Sequence, residues 1–237
     1  MRNRVRTRIL TIALMGLLCA AAPGQGWAGI SSAPGIGADE AAVIAAMAER
    51  SRVAARDFQE YRVTRIFQAE NPRFKKRASM VVETRVDAKR HTESRLISFE
   101  GSELIRRRVF EKILEAEAEA ESRRDDVDLT PENYRFKFLK VEDWNGRPSY
   151  VFAITPLRKN KYAVQGSIWL DCEDLRIARV VGSPLIRPSF WTTSARIEKE
   201  YHKQGNRWLP ARIFSESTIF IAGRSTLEID YQYPQAE

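Results

Sequence analysis

Histidine and cysteine are almost absent from this chain, with two of each among 237 residues. His91 and His202 lie far apart in sequence, and no Cys/His spacing of a metal site connects them. A Gly-x-Ser-x-Gly elbow and a glycine-rich phosphate loop are missing as well. The residues therefore point away from an enzyme, and no catalytic residue, metal or cofactor is expected. Asp125-Asp126-Val127-Asp128 offers the carboxylates that calcium prefers. It lacks the glycine turn and the distal glutamate of a calcium loop, so it reads as a solvated loop.

A hydrophobic run long enough to span a bilayer is also lacking. The apolar stretch Ile9 to Ala22 falls short of the about 20 residues that a spanning helix needs. Arg2, Arg4, Arg6 and Arg8 precede it and Pro23-Gly24-Gln25-Gly26-Trp27-Ala28 follows, the pattern of a secretory signal cleaved after Ala28. Leu18 stands where a lipidation site would place a small residue, which disfavours an anchor at Cys19. The expected organisation is a signal over 1–28, a Ser/Pro/Gly linker over 29–38 and one domain over 39–237, exported to the periplasm. Removing the four signal arginines lowers the formal charge from +8 to +4. That mixed, mildly basic remainder argues against nucleic acid as a partner and leaves a weak attraction to anionic lipid headgroups. Only Cys172 survives processing, so no intramolecular disulfide forms, and its acidic neighbours should raise its pKa.

What the chain does have is alternation. From Asn133 to Tyr233 short runs with period two follow one another, punctuated by Asp143-Trp144-Asn145-Gly146, Asp171-Cys172-Glu173-Asp174 and Gln204-Gly205-Asn206. Asn145-Gly146 is a strong hairpin signal. Tyr134, Phe136 and Phe138 share one strand face, and Ile168 and Leu170 oppose Trp169. Ile177 and Val181 are expected to alternate with Ala178 and Val180. Leu209 and Ile213 are expected opposite Trp208 and Phe214. Apolar residues on both faces fit a curled sheet with helices on one side better than a flat sheet with one wet face.

Upstream, Asp39 is expected to cap a helix running to about Asp57, with Val43, Ile44, Met47 and Val53 as its apolar stripe. Strands are expected over Phe58 to Gln68, around Met80-Val81-Val82, and over His91 to Phe99, with a turn at Asn71-Pro72. A second helix is expected from Ser102 to Ser122, placing Ile105, Val109, Ile113 and Leu114 on one face. Its arginines come first and its glutamates last, against the preference of the helix dipole. Tertiary packing or a partner must outweigh that mismatch, and the helix is either a solvated one that the dipole barely affects or a mobile lid.

The order of elements, with Asn133-Tyr134-Arg135-Phe136, Gly146-Arg147-Pro148-Ser149-Tyr150, Gly166-Ser167-Ile168-Trp169-Leu170-Asp171 and Arg207-Trp208-Leu209-Pro210, resembles the LolA-like superfamily of periplasmic lipoprotein-localisation proteins. That resemblance implies a mainly β (α+β) fold: a strongly curved antiparallel sheet, an unclosed half-barrel, with helices covering its concave face. It also implies a monomeric, non-enzymatic carrier or binding protein for lipid or lipoprotein acyl chains. The alternative is a protein-binding sensor or scaffold of the envelope. On this reading Phe136, Phe138, Phe152 and Trp169 would line a hydrophobic ligand site, and Ile105, Val109 and Ile113 would belong to its lid.

Overall fold

The computed structural model describes residues 40–88, 90–121, 128–186 and 192–234. The expected signal and linker, Asp39 and the first three residues of the 125–128 acidic run lie outside these. Among the described residues, ten strands form one antiparallel sheet in the order β3-β2-β1-β10-β9-β8-β7-β6-β5-β4. The strands are β1 (Tyr61–Asn71), β2 (Lys76–Val86), β3 (Thr92–Gly101), β4 (Tyr134–Trp144), β5 (Arg147–Pro156), β6 (Val164–Asp171), β7 (Ile177–Pro184), β8 (Thr192–Gln204), β9 (Arg207–Ile219) and β10 (Gly223–Gln232). β3 and β4 remain as edges, so the sheet is an unclosed half-barrel, and its concave, inner face carries both helices.

Local chemistry sets the turns. Asn145 and Gly146 both take positive φ, 53° and 77°, the conformation that a two-residue hairpin matched to strand twist requires. At the β1–β2 connection the Asn71 side chain accepts from the Phe74 N–H at 2.9 Å, and Pro72 opens the short 3-10 turn. Helix α1 (Glu40–Arg56) buries Ile44, Met47, Ala48 and Ala54 at helical spacing. It is pinned at two points: Glu40 at its first residue accepts the Phe138 N–H at 2.6 Å, and the Arg50 carbonyl in its C-terminal half accepts from Arg176 at 3.2 Å.

The second helix, α2 (103–121), runs through Glu103–Ile105, a π turn over Arg106–Phe110, and Glu111–Glu121. The extra residue of the π turn rotates Phe110 onto the sheet, where it is fully buried against Phe67 with ring centroids 5.6 Å apart. Straight 3.6-residue spacing misses Phe110 for that reason.

Directly opposed residues in an antiparallel pair share a face. Following them strand by strand gives one unbroken inner row: Phe138, Phe152, Ile168, Val180, Lys199, Ile213, Ile229, Phe67, Met80 and Phe99. Nine of these ten are apolar, and the exception, Lys199, stands mid-row. The row divides into two clusters. One joins α1 to β4–β9 through Ile44, Met47, Phe152, Ile168 and Tyr201; the other joins α2 to β1, β2 and β8–β10 through Phe67, Met80, Phe110, Ile113 and Ile213.

Bulges correct two expectations of strand alternation. Between β6 and β7 the register passes from Trp169↔Arg179 to Leu170↔Ile177, leaving Ala178 extra. Ile177 and Val180 thereby join the same buried cluster, while Val181 is only half-buried. Between β8 and β9 it passes from Glu200↔Arg212 to Tyr201↔Pro210, leaving Ala211 extra. That step turns Trp208 and Ile213 to the inner face and Leu209 and Phe214 to the outer one.

Candidate functional site

The inner face brings some of the expected ligand-lining residues together and separates others. Phe152 is fully buried, and Phe138 meets it edge-on at 5.7 Å; Phe136 packs on Tyr134 at 6.5 Å. Trp169 pairs with Val151, the neighbour of Phe152, so its side chain points to the outer face. There it donates its indole N–H to Glu142 and stacks on Arg179, whose guanidinium carbon lies 4.7 Å from its ring centroid. The helix over Phe136, Phe138 and Phe152 is α1. Ile105, Val109 and Ile113 belong to α2 and pack in the other cluster, with Ile113 buried and Ile105 and Val109 half-buried.

Two cavities stand out among the described residues. One of about 490 Å³ lies against the outer-facing side chains of β1, β2, β3, β9 and β10, including Gln68, Glu70, Arg77, Glu100 and Glu228. A smaller one of about 190 Å³ lies at the end of β4 and β5, beside Asn133, Tyr134, Arg158 and Lys159. Neither touches Phe136, Phe138, Phe152 or Trp169. The inner face is occupied by the protein's own helices, with α1 on the cluster of Phe152 and Ile168 and α2 on that of Phe67 and Met80.

A charged seam runs beneath α2. Arg65, a buried residue of β1, donates from Nη1 to Glu117 of α2 at 2.7 Å, from Nε to Thr84 Oγ1 at 2.9 Å and from Nη2 to Ser94 Oγ at 3.0 Å. Tyr231 stands opposite Arg65 on β10. Lys199 is 8% exposed, and burial drives its pKa down to about 8, with the Glu117 charge opposing the shift. Burial likewise raises the Tyr61, Tyr231 and Tyr233 phenols well above their ordinary value. Two cations and one carboxylate thus face one another where the two apolar clusters meet. Sequence reading passed over Arg65 and Lys199 because one arginine or lysine in an alternating strand looks like a solvent-facing residue.

The same contacts account for the charge order of α2. Glu117 pairs with Arg65 on the sheet, and Glu119 pairs with Lys161 of the β5–β6 loop at 2.7 Å. The late glutamates answer tertiary cations, which outweigh a dipole preference of about 0.3–1 kcal/mol. The basic loop at 158–161 thus meets the helix.

The remaining candidates are held by neighbouring side chains. His91 lies 3.7 Å from Asp87 at the exposed β2–β3 turn, and His202 packs against Tyr233 with centroids 5.6 Å apart. Asp171, Glu173 and Asp174 come close enough to hold a cation, but Arg147 pairs with all three and Lys203 and Trp208 bond to Asp174. Cys172 has a raised pKa, with burial the larger cause and Asp171 the smaller.

No protein-family model matches the chain, and no curated protein matches it. Solved structures with a similar course of the chain include a DUF1329 family protein from Desulfovibrio piger, 12% identical, covering 83% of this chain and 93% of that one, TM-score 0.42. Another is a candidate outer membrane lipoprotein-sorting protein domain from Vibrio parahaemolyticus, 14% identical, covering 81% and 93%, TM-score 0.37. A LolA superfamily protein from Nitrosomonas europaea is 11% identical, covering 83% and 94%, TM-score 0.34. At these identities and scores the likeness decides nothing about what is bound.

Proposed function

We propose that this protein is a periplasmic, non-enzymatic carrier of acyl chains bearing an anionic head. The observation that carries the reading is the inner row, which is apolar across ten strands except for Lys199. In the closed form α2 supplies what such a ligand would supply. Phe110 and Ile113 cover the apolar floor, and the Glu117 carboxylate sits on Arg65. A ligand that displaces α2 would lay its chain on Phe67, Met80, Ile213 and Ile229 and its head against Arg65 and Lys199. Burying each methylene is worth about 0.8 kcal/mol, enough for one chain to compete with a short helix.

The test is binding of a fluorescent fatty acid and of the matching fatty alcohol, alongside native mass spectrometry of protein purified from its host. Lipid should co-purify, the acid should bind more tightly than the alcohol, and Lys199→Met should narrow that gap about tenfold. Lipid-free protein that takes up neither probe would sink the reading. It would favour the alternative, an envelope protein-binding module, for which the exposed Leu96 and Ile97 on edge strand β3 would offer a face.

A further inference from the structure

We infer that one end of the sheet docks onto an anionic bilayer surface. Strand directions place the β1–β2 turn, the β9–β10 turn, the start of α2 and the loops after β5 and β7 together at that end. Six of the exposed large apolar residues stand there: Phe74, Leu104, Leu157, Ile186, Phe220 and Ile221. The others, Leu96, Ile97, Leu139 and Val141, lie along the edge strands, so the turns at the opposite end show none among the described residues. Phe220 is 72% exposed and Ile221 58%, values that nothing in the sheet core accounts for.

The two most apolar turns are joined into one platform. The Asn71 amide donates to the Ala222 carbonyl at 2.9 Å and to Ser225 Oγ at 2.7 Å, while its oxygen accepts from Phe74. Phe74 is therefore held beside Phe220 and Ile221. Around them stand Arg73, Lys75, Lys76, Arg107 and Arg108, exposed and without an ion pair among the described residues. Arg106 and Arg224 at the same end do pair, with Glu103 and Glu216, and Glu70 and Glu100, the residues before Asn71 and Gly101, turn to the outer face beside Arg77. Separate apolar wedges ringed by cations fit an interface of acyl chains beneath anionic headgroups. A protein partner would be met better by a continuous apolar patch with a polar rim.

Flotation of the lipid-stripped chain with vesicles tests this, using phosphatidylcholine alone or mixed with phosphatidylglycerol. The chain should float with the mixed vesicles and stay behind with the neutral ones. Phe74→Ser with Phe220→Ser should lower binding at least tenfold, and Arg73→Glu, Lys75→Glu and Lys76→Glu should each lower it about fivefold. Lys140→Glu on edge strand β4 should change nothing. In Phe220→Trp, the new indole should be quenched by brominated lipid. Failure to float, equal flotation of the double serine variant, or self-association through this end in place of vesicle binding would each overturn the inference. Docking does not rest on the carrier reading: the parent chain should float with the mixed vesicles even where it takes up no fatty acid.

Discussion

Lys199 is the residue on which the physical chemistry is most exposed. Its ammonium stands in an apolar row, and burial brings its pKa from 10.5 to about 8. The folded state therefore holds fewer protons than the unfolded chain between those values, and this residue makes stability rise with pH across that window. The shift amounts to roughly 3 kcal/mol. Tyr61, Tyr231 and Tyr233 act in the opposite sense. Their raised pKa values stabilise the fold below pH 10 and withdraw that support above it, as unfolded phenols ionise first. The expected result is a urea midpoint that climbs from pH 8 to about 10 and then falls. In Lys199→Met the climb should vanish while the fall remains. Taking the difference between the two proteins also removes the common contribution of Cys172. An unchanged climb in the variant would show that another group titrates there.

At the scale of elements, the two helices differ in how they are held. α1 is tied to the sheet by Glu40 at its first residue and by Arg50 in its C-terminal half. α2 rests on Phe110 and Ile113 and on the Arg65–Glu117 pair, where removing one charge strands the other in the interior. Glu117→Gln keeps the shape and weakens the bond. Hydrogen exchange in that variant should quicken about tenfold in α2 and stay unchanged in β1, β9 and β10. Fatty-acid uptake should quicken in parallel. Equal exchange in helix and sheet would mean that α2 opens only when the whole domain unfolds.

At the scale of the whole molecule, a sheet this wide must curl, and two glycines mark one place where strands close tightly. Gly166 faces Gly182 across β6 and β7, and a Cβ on Gly166 would lie 2.1 Å from the Val181 carbonyl oxygen. Backbone must shift to admit it. Gly166→Ala should cost about 1–3 kcal/mol in chemical denaturation. Gly205→Ala would change little by contact, having open space around it, and would report the cost of its positive φ alone. Among the described residues no helix is long and apolar enough to cross a membrane.

Much of this was legible in the chain itself. Alternation gave the meander because a strand with one face buried writes its period into the sequence; Asn145-Gly146 gave a turn because few residues accept its positive φ, and Asn71-Pro72 because the asparagine side chain caps the turn that proline opens. Both helices stood out by their apolar stripes, within a residue or two of their ends. Other features required partners distant in sequence. The pairing of β1 with β10, which joins the first three strands to the last, is set by packing across most of the chain. The extra residues Ala178 and Ala211 are ordinary alanines until a neighbouring strand fixes the register around them. Local chemistry alone determined a helix-clad antiparallel sheet. Only the tertiary structure decided that Trp169 faces outward, that Phe110 faces inward, and that Arg65, Lys199 and Glu117 meet beneath a helix. The physical reason is that a side chain's face depends on pairing, and its charge state on what is buried around it.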